Sequence, residues 1–146
     1  MPSKATIERA QEDRREGKSP TTQAGEFVRE EMHHIREGRH GARSTKQAIA
    51  IGLSKARRAG VKLGRPPKGA KASTRKSATA ASRAARSGRK PSARRSRAVA
   101  RALRREPRGA ATRSALASHA RQVARRRGPG ARRASARKAA RTRKAA

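Results

Sequence analysis

The chain has 146 residues, of which 42 are lysine or arginine and nine are aspartate or glutamate, so its formal net charge is +33. It contains one phenylalanine and no tryptophan, tyrosine or cysteine. This composition excludes a large hydrophobic core, disulfide bonds and thiolate metal sites. So many positively charged side chains repel one another in a compact state, which indicates that the partner is an anionic polymer.

The charge is divided between a neutral head and a cationic tail. Residues 1–40 carry eight acidic and eight basic side chains, whereas residues 41–146 carry 34 basic residues against the single acidic residue Glu106. Of the 42 basic residues 31 are arginine, which suits bidentate phosphate contacts, although a GC-rich coding sequence explains the same bias. Since no apolar run is long enough for a signal peptide or a membrane span, we expect a protein of the cytoplasm and nucleoid that binds no membrane.

Two stretches in the head favour helices. Residues 1–18 are expected to form a weakly helical segment, because Ile7 is their one large apolar residue before a glycine stop. A second helix of about residues 20–37 follows, since serine at position 19 is a good N-cap and proline fits the first helical position. Its apolar side chains recur at helical spacing and are Ala24, Phe27, Val28, Met32 and Ile35.

A third helix, of about residues 45–59, carries clearer end signals. Ser44 and Gln47 have the spacing of a capping box, and Gly60 suits the left-handed position that ends a helix. A short link with two glycines precedes it, which predicts an antiparallel hairpin. So small a core barely offsets the backbone entropy of ordering, so we expect a homo-oligomer or a partner surface to complete it. The predicted hairpin core is Phe27, Val28, Met32, Ile35, Ile49, Leu53 and Ala56.

The composition changes abruptly where the tail begins, and residues 64–146 are typical of charge-driven disordered chains. The predicted fold class is therefore mostly α, with a small N-terminal helical hairpin at residues 19–63 and a long basic, largely disordered tail. Short helices are expected around residues 96–105 and 114–127 once phosphates neutralise the arginines. The apolar tail residues larger than alanine are Val99, Leu103, Leu116 and Val123.

The stretch STKQAIAIGLSKARRAG, residues 44–60, resembles the core of a family of small uncharacterised bacterial proteins, some of which are labelled plasmid stabilisation protein. The tail stretch SRAVARALRREPRGAATRSALASHARQVARRR is similar to the basic tails of that family. It also resembles the C-terminal domain of linker histones and the tails of bacterial histone-like proteins, although it prefers arginine to lysine. The family implies no established activity, whereas the histone likeness implies DNA binding and compaction.

The stretch LGRPPKG, residues 63–69, resembles the core of an AT-hook, in which an extended Gly-Arg-Pro unit lies in the minor groove of A·T tracts. Such a hook would use Lys62, Arg65 and Lys68. Leu63 departs from the pattern, because it stands where the hook has a second basic residue. A stiff linker between head and tail explains the same prolines.

The predicted partner is duplex DNA, which the protein would bind through the phosphates without regard to sequence. RNA or the ribosome is the alternative, because basic low-complexity tails also bind folded RNA, although no aromatic pair is present for base stacking. A third interpretation is a protein-interaction module that its tail holds on DNA. The residues predicted to contact nucleic acid are Lys62, Arg65, Lys68, Arg94, Arg95, Arg97, Arg101, Arg104, Arg105, Arg121, Arg125, Arg126, Arg127, Arg132 and Arg133.

The sequence predicts no catalytic residue, no cofactor and no metal site. It has one aspartate, no cysteine nucleophile and no glycine-rich phosphate loop, so we expect a binding protein and not an enzyme. His33 and His34 point about 100° apart on a helix and cannot both face one ion, while His40 is expected in a loop. Glu30 and Glu31 are expected on an exposed helix face as partners of basic neighbours.

Overall fold

Serine hydroxyls cap four helices in the computed structural model, which describes residues 1–67, 69–88 and 92–145. Each hydroxyl accepts a hydrogen bond from the backbone N–H three residues later. These bonds satisfy amides that have no partner within a helix, so each helix begins where the sequence provides a cap. The four caps are Ser3, Ser19, Ser44 and Ser92.

The described residues form six α-helices and one short 3-10 turn. By contacts they divide into one unit, Met1–Ala111, and a second unit that begins at Thr112. In the described part of the chain we find no helix with both the length and the apolar character that crossing a membrane requires. The helices are α1 (Lys4–Arg15), α2 (Pro20–Arg36), α3 (Thr45–Arg58), α4 (Ala72–Ser87), α5 (Ala93–Arg104) and α6 (Arg113–Ala145), and the 3-10 turn is Gly109–Ala111.

The predicted fold class is wrong, because the tail is helical and not largely disordered. Helices α4, α5 and α6 occupy most of the described residues after position 64. The low hydrophobicity of the tail predicted disorder, but alanine and arginine have high intrinsic helix propensity, which does not require a hydrophobic core. The tail also has its own end signals, since Ser92 caps α5 and Gly88 ends α4 in the left-handed region at φ 62°.

Helices α2 and α3 lie within one residue of the predicted bounds and pack against each other. They run antiparallel, because the end of α2 and the start of α3 both contact the 3-10 turn, while Val28 near the middle of α2 meets Gly52 of α3. A Cβ added at Gly52 would lie 2.8 Å from the Val28 Cα. Glycine is therefore what lets the two backbones approach so closely. The Ser44 hydroxyl accepts from the Gln47 N–H, but the Gln47 side chain accepts from Arg43 and so does not complete the predicted box.

The core of the first unit includes more of the chain than the predicted hairpin. Buried Ala10, Ala24, Phe27 and Ala56 form a cluster from α1, α2 and α3. The side chains packed around it are Ile7, Leu53, Val61 and Leu63. Of the predicted core residues, the structure buries Phe27, Met32, Ile35 and Ala56 and leaves Val28, Ile49 and Leu53 half-buried. Helix α1 and the link after α3 thus supply apolar surface that the hairpin prediction omitted.

The segment after α5 returns to the link between α2 and α3. The N–H groups of Gly41 and Ala42 donate to the carbonyls of Leu103 and Pro107, at 2.8 and 2.9 Å. A Cβ at Gly41 would overlap the carbonyl of Glu106, so this contact requires glycine. Backbone hydrogen bonds therefore fix the C-terminal end of α5 to the head, by which we mean residues 1–63 with helices α1, α2 and α3.

The 3-10 turn continues this attachment. The Thr45 hydroxyl donates to the Ala110 carbonyl at 2.7 Å, and the Arg36 guanidinium donates to the Ala111 carbonyl at 2.9 Å. Both alanines are buried. Long-range contacts therefore join residues up to 111 to the head. The predicted division of the chain into residues 1–18, 19–63 and 64–146 rests on composition and stays a prediction.

We expect Gly52→Ala to destabilise the first unit by about 1 to 3 kcal/mol, since the new methyl group would force α2 and α3 apart. Gly25→Ala is the matched control, because Gly25 is also helical but has nothing within 4 Å of an added Cβ. That change should stabilise α2 by about 0.5 to 1 kcal/mol. Urea unfolding followed by circular dichroism measures both, and equal effects would contradict the close approach.

We expect Gly41→Ala to release the segment after α5, because the methyl group would displace the Glu106 carbonyl and break the bonds that Gly41 and Ala42 donate. Hydrogen exchange at the Ala42 amide should accelerate by at least about tenfold, since the bond to Pro107 protects it. Gly64→Ala serves as the control, because an added Cβ there meets nothing within 4 Å. Unchanged protection in Gly41→Ala would show that the segment is held by other contacts.

Helix α1 is joined to α2 by a buried carboxylate. The backbone N–H of Ser3 donates to Glu30 Oε1 at 2.6 Å. Burial by itself raises the pKa of Glu30, but the hydrogen bonds from Ser3 and the charge of Lys55 outweigh it, so the net pKa lies below its ordinary value. The folded state therefore favours the ionised form of this side chain.

Because the pKa of Glu30 is lowered on folding, its ionised carboxylate should stabilise the protein above the unfolded-state pKa of about 4.3, and this stability should be lost as pH falls through the lower folded-state pKa. We expect the free energy of unfolding to fall more steeply on acidification in the natural chain than in Glu30→Gln. Glu8→Gln, an exposed position on α1, controls for the loss of one carboxylate. Parallel pH profiles for the natural chain and Glu30→Gln would contradict this assignment.

Candidate nucleic-acid interface

Among the described residues, six of the nine acidic side chains have a lysine or arginine partner in the head. Helices α4, α5 and α6 contain no aspartate or glutamate, so the basic residues there have no acidic neighbour on their own helix. The described ion pairs between carboxylates and lysine or arginine join Arg9 and Arg29 to Glu26, Lys18 to Asp13 and Glu16, Arg39 to Glu37, Arg43 to Glu106 and Lys55 to Glu31.

Helix α5 presents its arginines around an exposed helix. It buries no residue, its Val99 is 53% exposed, and Leu103 at its C-terminal end is half-buried. Backbone bonds hold that end, so the guanidinium groups are left to solvent. The predicted nucleic-acid contacts of this helix and its C-cap, all exposed, are Arg94, Arg95, Arg97, Arg101, Arg104 and Arg105.

Helix α6 is a basic helix in two parts. Gly128, at φ 74° and ψ 169°, interrupts the helical geometry, and Pro129 follows it. Proline has no N–H to donate, so the break falls where the sequence provides it. Arg127 and Arg132, from the two sides of the break, line one groove together with Val123. The predicted contacts on α6, all exposed, are Arg121, Arg125, Arg126, Arg127, Arg132 and Arg133.

The segment that resembles an AT-hook lies between α3 and α4 and is anchored to the head. Lys62 and Arg65 are exposed, whereas Lys68 lies outside the described residues. Leu63, which replaces the basic residue of the hook pattern, packs against the head core. The Arg57 guanidinium donates to the Gly64 carbonyl at 3.0 Å and holds the backbone there. Groove binding by this segment stays a prediction.

The sequence prediction omitted exposed basic residues on α4 and on the end of α6. Helix α4 packs on α3 and buries Ala81, while its basic residues face outward. The signal that identifies them was available, because α4 and α6 contain no acidic residue, as is also true of α5. The omitted exposed residues are Lys71, Arg75, Lys76, Arg83, Arg86, Arg137, Lys138, Arg141, Arg143 and Lys144.

Two glutamates expected on an exposed face are in fact buried. Glu31 is 0% exposed, with Lys55 Nζ 2.5 Å from its Oε2 and His40 Nε2 3.1 Å from its Oε1. Glu30 is 7% exposed. The helical pattern placed these carboxylates beside basic neighbours on α2, but α1, α3 and the following link cover that face.

The histidines of the head lie in different environments. His33 is exposed, whereas His34 and His40 are half-buried, and His40 lies in the link as predicted. Burial lowers the pKa of His34, and the positive charge of Lys55 lowers it further. The ring centroids of His34 and His40 are 6.1 Å apart. His34 is adjacent to His33 in the sequence, but the fold places its ring beside that of His40.

Residues 15–69 match a family of unknown function (DUF6496). The matched stretch includes α2 and α3, which form the centre of the head, and it ends before α4. No curated protein and no solved structure matches the chain. Because the family has no assigned activity, the likeness to plasmid stabilisation proteins and to histones stays a prediction.

Proposed function

We propose that this protein binds duplex DNA without sequence preference, as a histone-like, nucleoid-associated protein that compacts or stabilises chromosomal or plasmid DNA. Its role would be binding and not catalysis. The exposed arginines and lysines of α4, α5 and α6 would neutralise the phosphates of the duplex. The head would position the protein on DNA or support self-association.

The observation that carries this proposal is the separation of charge in the folded chain. Six basic residues of the head have carboxylate partners among the described residues, whereas α5 and α6 expose arginines on helices that contain no acidic residue. Exposed cations without neighbouring carboxylates repel one another, and a polyanion removes that repulsion. Phosphate is the ligand that suits the bidentate arginine fork.

The amount of charge fits a short duplex. Residues 64–146 contain 28 basic residues and one acidic residue. Duplex DNA carries one negative charge per about 1.7 Å of its axis, so the net charge of this segment matches roughly 46 Å of duplex, or about 14 base pairs. Because such contacts release counterions, the affinity should depend steeply on salt.

Helices that are already formed lower the cost of binding. A disordered tail would have to lose backbone entropy of about 1 to 2 kcal/mol for each residue that it orders on DNA. Helices α5 and α6 instead display arginines at fixed helical spacing before any contact is made. This supports a surface that binds phosphates along the duplex, whereas base readout would require side chains directed at base edges.

We expect the combined substitutions Arg125→Gln, Arg126→Gln and Arg127→Gln to weaken DNA binding by the full chain and to flatten its salt dependence. Each phosphate contact contributes about 0.9 to the slope of log affinity against log salt, so the slope should fall by up to about 2.7. Glutamine keeps good helix propensity, so α6 should remain helical. Fluorescence anisotropy with a labelled random-sequence duplex at several salt concentrations measures the slope.

A matched variant removes the same amount of charge from the head, with Arg9→Gln, Arg29→Gln and Arg39→Gln. These arginines pair with Glu26 and Glu37, so the slope should change by less than about one. Equal slopes for the two triple variants, or an affinity that hardly changes with salt, would contradict the proposal.

A second titration, with structured RNA in place of the DNA duplex, tests the RNA alternative. Duplex RNA and duplex DNA carry similar charge, so phosphate neutralisation alone predicts similar affinities at equal length. A preference for structured RNA that persists at physiological salt would favour the RNA- or ribosome-associated function. Co-purification of nucleic acid that is sensitive to DNase and resistant to RNase would support the proposal.

A further inference from the structure

The link after α2 folds back so that His40 meets two residues of that helix. Glu31 and His34 lie three positions apart on α2 and so share a face. One ligand atom each from Glu31, His34 and His40 lies within 4.8 Å of the other two. We propose that these three side chains form a binding site for a divalent transition metal ion, with zinc as the best match, in which water completes the coordination.

The contacts of the two imidazoles show which nitrogen of each could bind a metal ion. His40 Nδ1 lies 3.0 Å from the Gly41 carbonyl and donates to it, which leaves Nε2, beside Glu31 Oε1, as the nitrogen that a metal ion would bind in place of a proton. Metal-ligating histidines commonly donate their second N–H to a backbone carbonyl in this way. The Arg39 guanidinium lies 3.4 Å from His34 Nε2 and can only donate, so a metal ion bound at this nitrogen would displace Arg39 from its lone pair.

The burial of the carboxylate is a second, independent observation. Glu31 is 0% exposed, and its two oxygens contact Lys55 and His40 without a hydrogen bond of good geometry among the described residues. Lys55 offsets charge at Oε2, and His40 Nε2 lies 3.1 Å from Oε1. A metal ion bound to this nitrogen and to Oε1 would supply positive charge directly to the buried carboxylate. Glu30 Oε2, on the adjacent residue, is buried and without a hydrogen bond as well.

The chemistry of the ligands selects the class of ion. Two imidazoles and one carboxylate are the ligand set of zinc sites that keep water in an open position, whereas calcium and magnesium prefer oxygen alone. Ligands of a tetrahedral zinc ion lie roughly 3.3 Å apart at bond lengths of about 2.0 to 2.1 Å. The His40–Glu31 separation of 3.1 Å already fits this value, and a separation at the 4.8 Å limit of the cluster would need to close by roughly 1.5 Å through rotation of the His34 side chain.

The site lies apart from the proposed nucleic-acid interface and requires none of its residues. Its three ligands belong to α2 and to the link that carries Gly41 and Ala42, whose N–H groups hold the end of α5. A bound ion would fix this link to α2. Metal binding is therefore expected to stabilise the first unit, and it can be measured without DNA.

The test uses the full chain after treatment with EDTA, with Co²⁺ and Zn²⁺ as the probes. We expect one equivalent of Co²⁺ to give the visible absorption of a nitrogen- and oxygen-ligated ion. Zn²⁺ at a hundredfold excess over its dissociation constant should raise the melting temperature by roughly 5 °C or more. No absorption and no thermal shift in the natural chain would overturn the proposal and leave a buried ion pair only.

Variants locate the site. His34→Ala and His40→Ala should each weaken binding by at least about tenfold, since even loss of an outer-shell partner costs that much. His33→Ala is the matched control, because it removes an exposed imidazole next to the site, and His119→Ala controls for the remaining histidine. Circular dichroism checks that each variant folds. Equal weakening by the controls, or Co²⁺ absorption that survives both His34→Ala and His40→Ala, would overturn the proposal.

Lys55→Met separates a metal site from an ion pair. Its ammonium group lies 2.5 Å from Glu31 Oε2 and competes with any cation for that carboxylate. If the metal binds Glu31, the variant should bind Zn²⁺ more tightly, by roughly tenfold. If the cluster is an ion pair only, the variant should lose thermal stability and Zn²⁺ should not restore it, which would overturn the proposal.

Discussion

Close approach of helices is the constraint on which the rest of this structure depends, because the chain has few large apolar side chains. An alanine buries little area, so packing against it gains appreciable free energy only where backbones come near each other. Gly52 lets α3 lie directly against Val28 of α2, and Ala81 is the residue that α4 buries. Phe27 and Ile35 add the larger side chains of the head. The first unit is held by a few tight contacts and not by an extensive core.

Electrostatics then determine which helices can pack closely. Acidic residues are scarce, and most of them lie in α1, in α2 and in the links beside these helices. A helix without carboxylates that buried its arginines would leave charges unpaired, at a high cost in desolvation. Helix α5 is accordingly held by backbone bonds at its C-terminal end, where no arginine has to be buried. The same scarcity leaves its arginines exposed, which is why phosphate binding is the function we propose.

Charges in this chain therefore occur in two different environments. Glu31 and Lys55 form a buried contact in which solvent screening is weak, and this contact joins α2 to α3. The arginines of α5 and α6 lie in solvent, where salt screens interactions beyond about 10 Å. Salt should consequently weaken DNA binding by the exposed helices much more than it lowers the stability of the head. The fold thus depends on charges that solvent screens weakly, and the proposed function depends on charges that it screens strongly.

The sequence alone was sufficient for α2 and α3, because Ser19, Ser44 and Gly60 mark their ends and apolar residues recur at helical spacing. It also determined which arginines lack acidic neighbours, since charge along the chain can be counted without a fold. It failed for the tail, where low hydrophobicity indicated disorder although alanine and arginine favour helices. The tertiary structure alone brought His40 to Glu31 and buried that carboxylate. Such contacts depend on how a link folds back, and local periodicity carries no information about that.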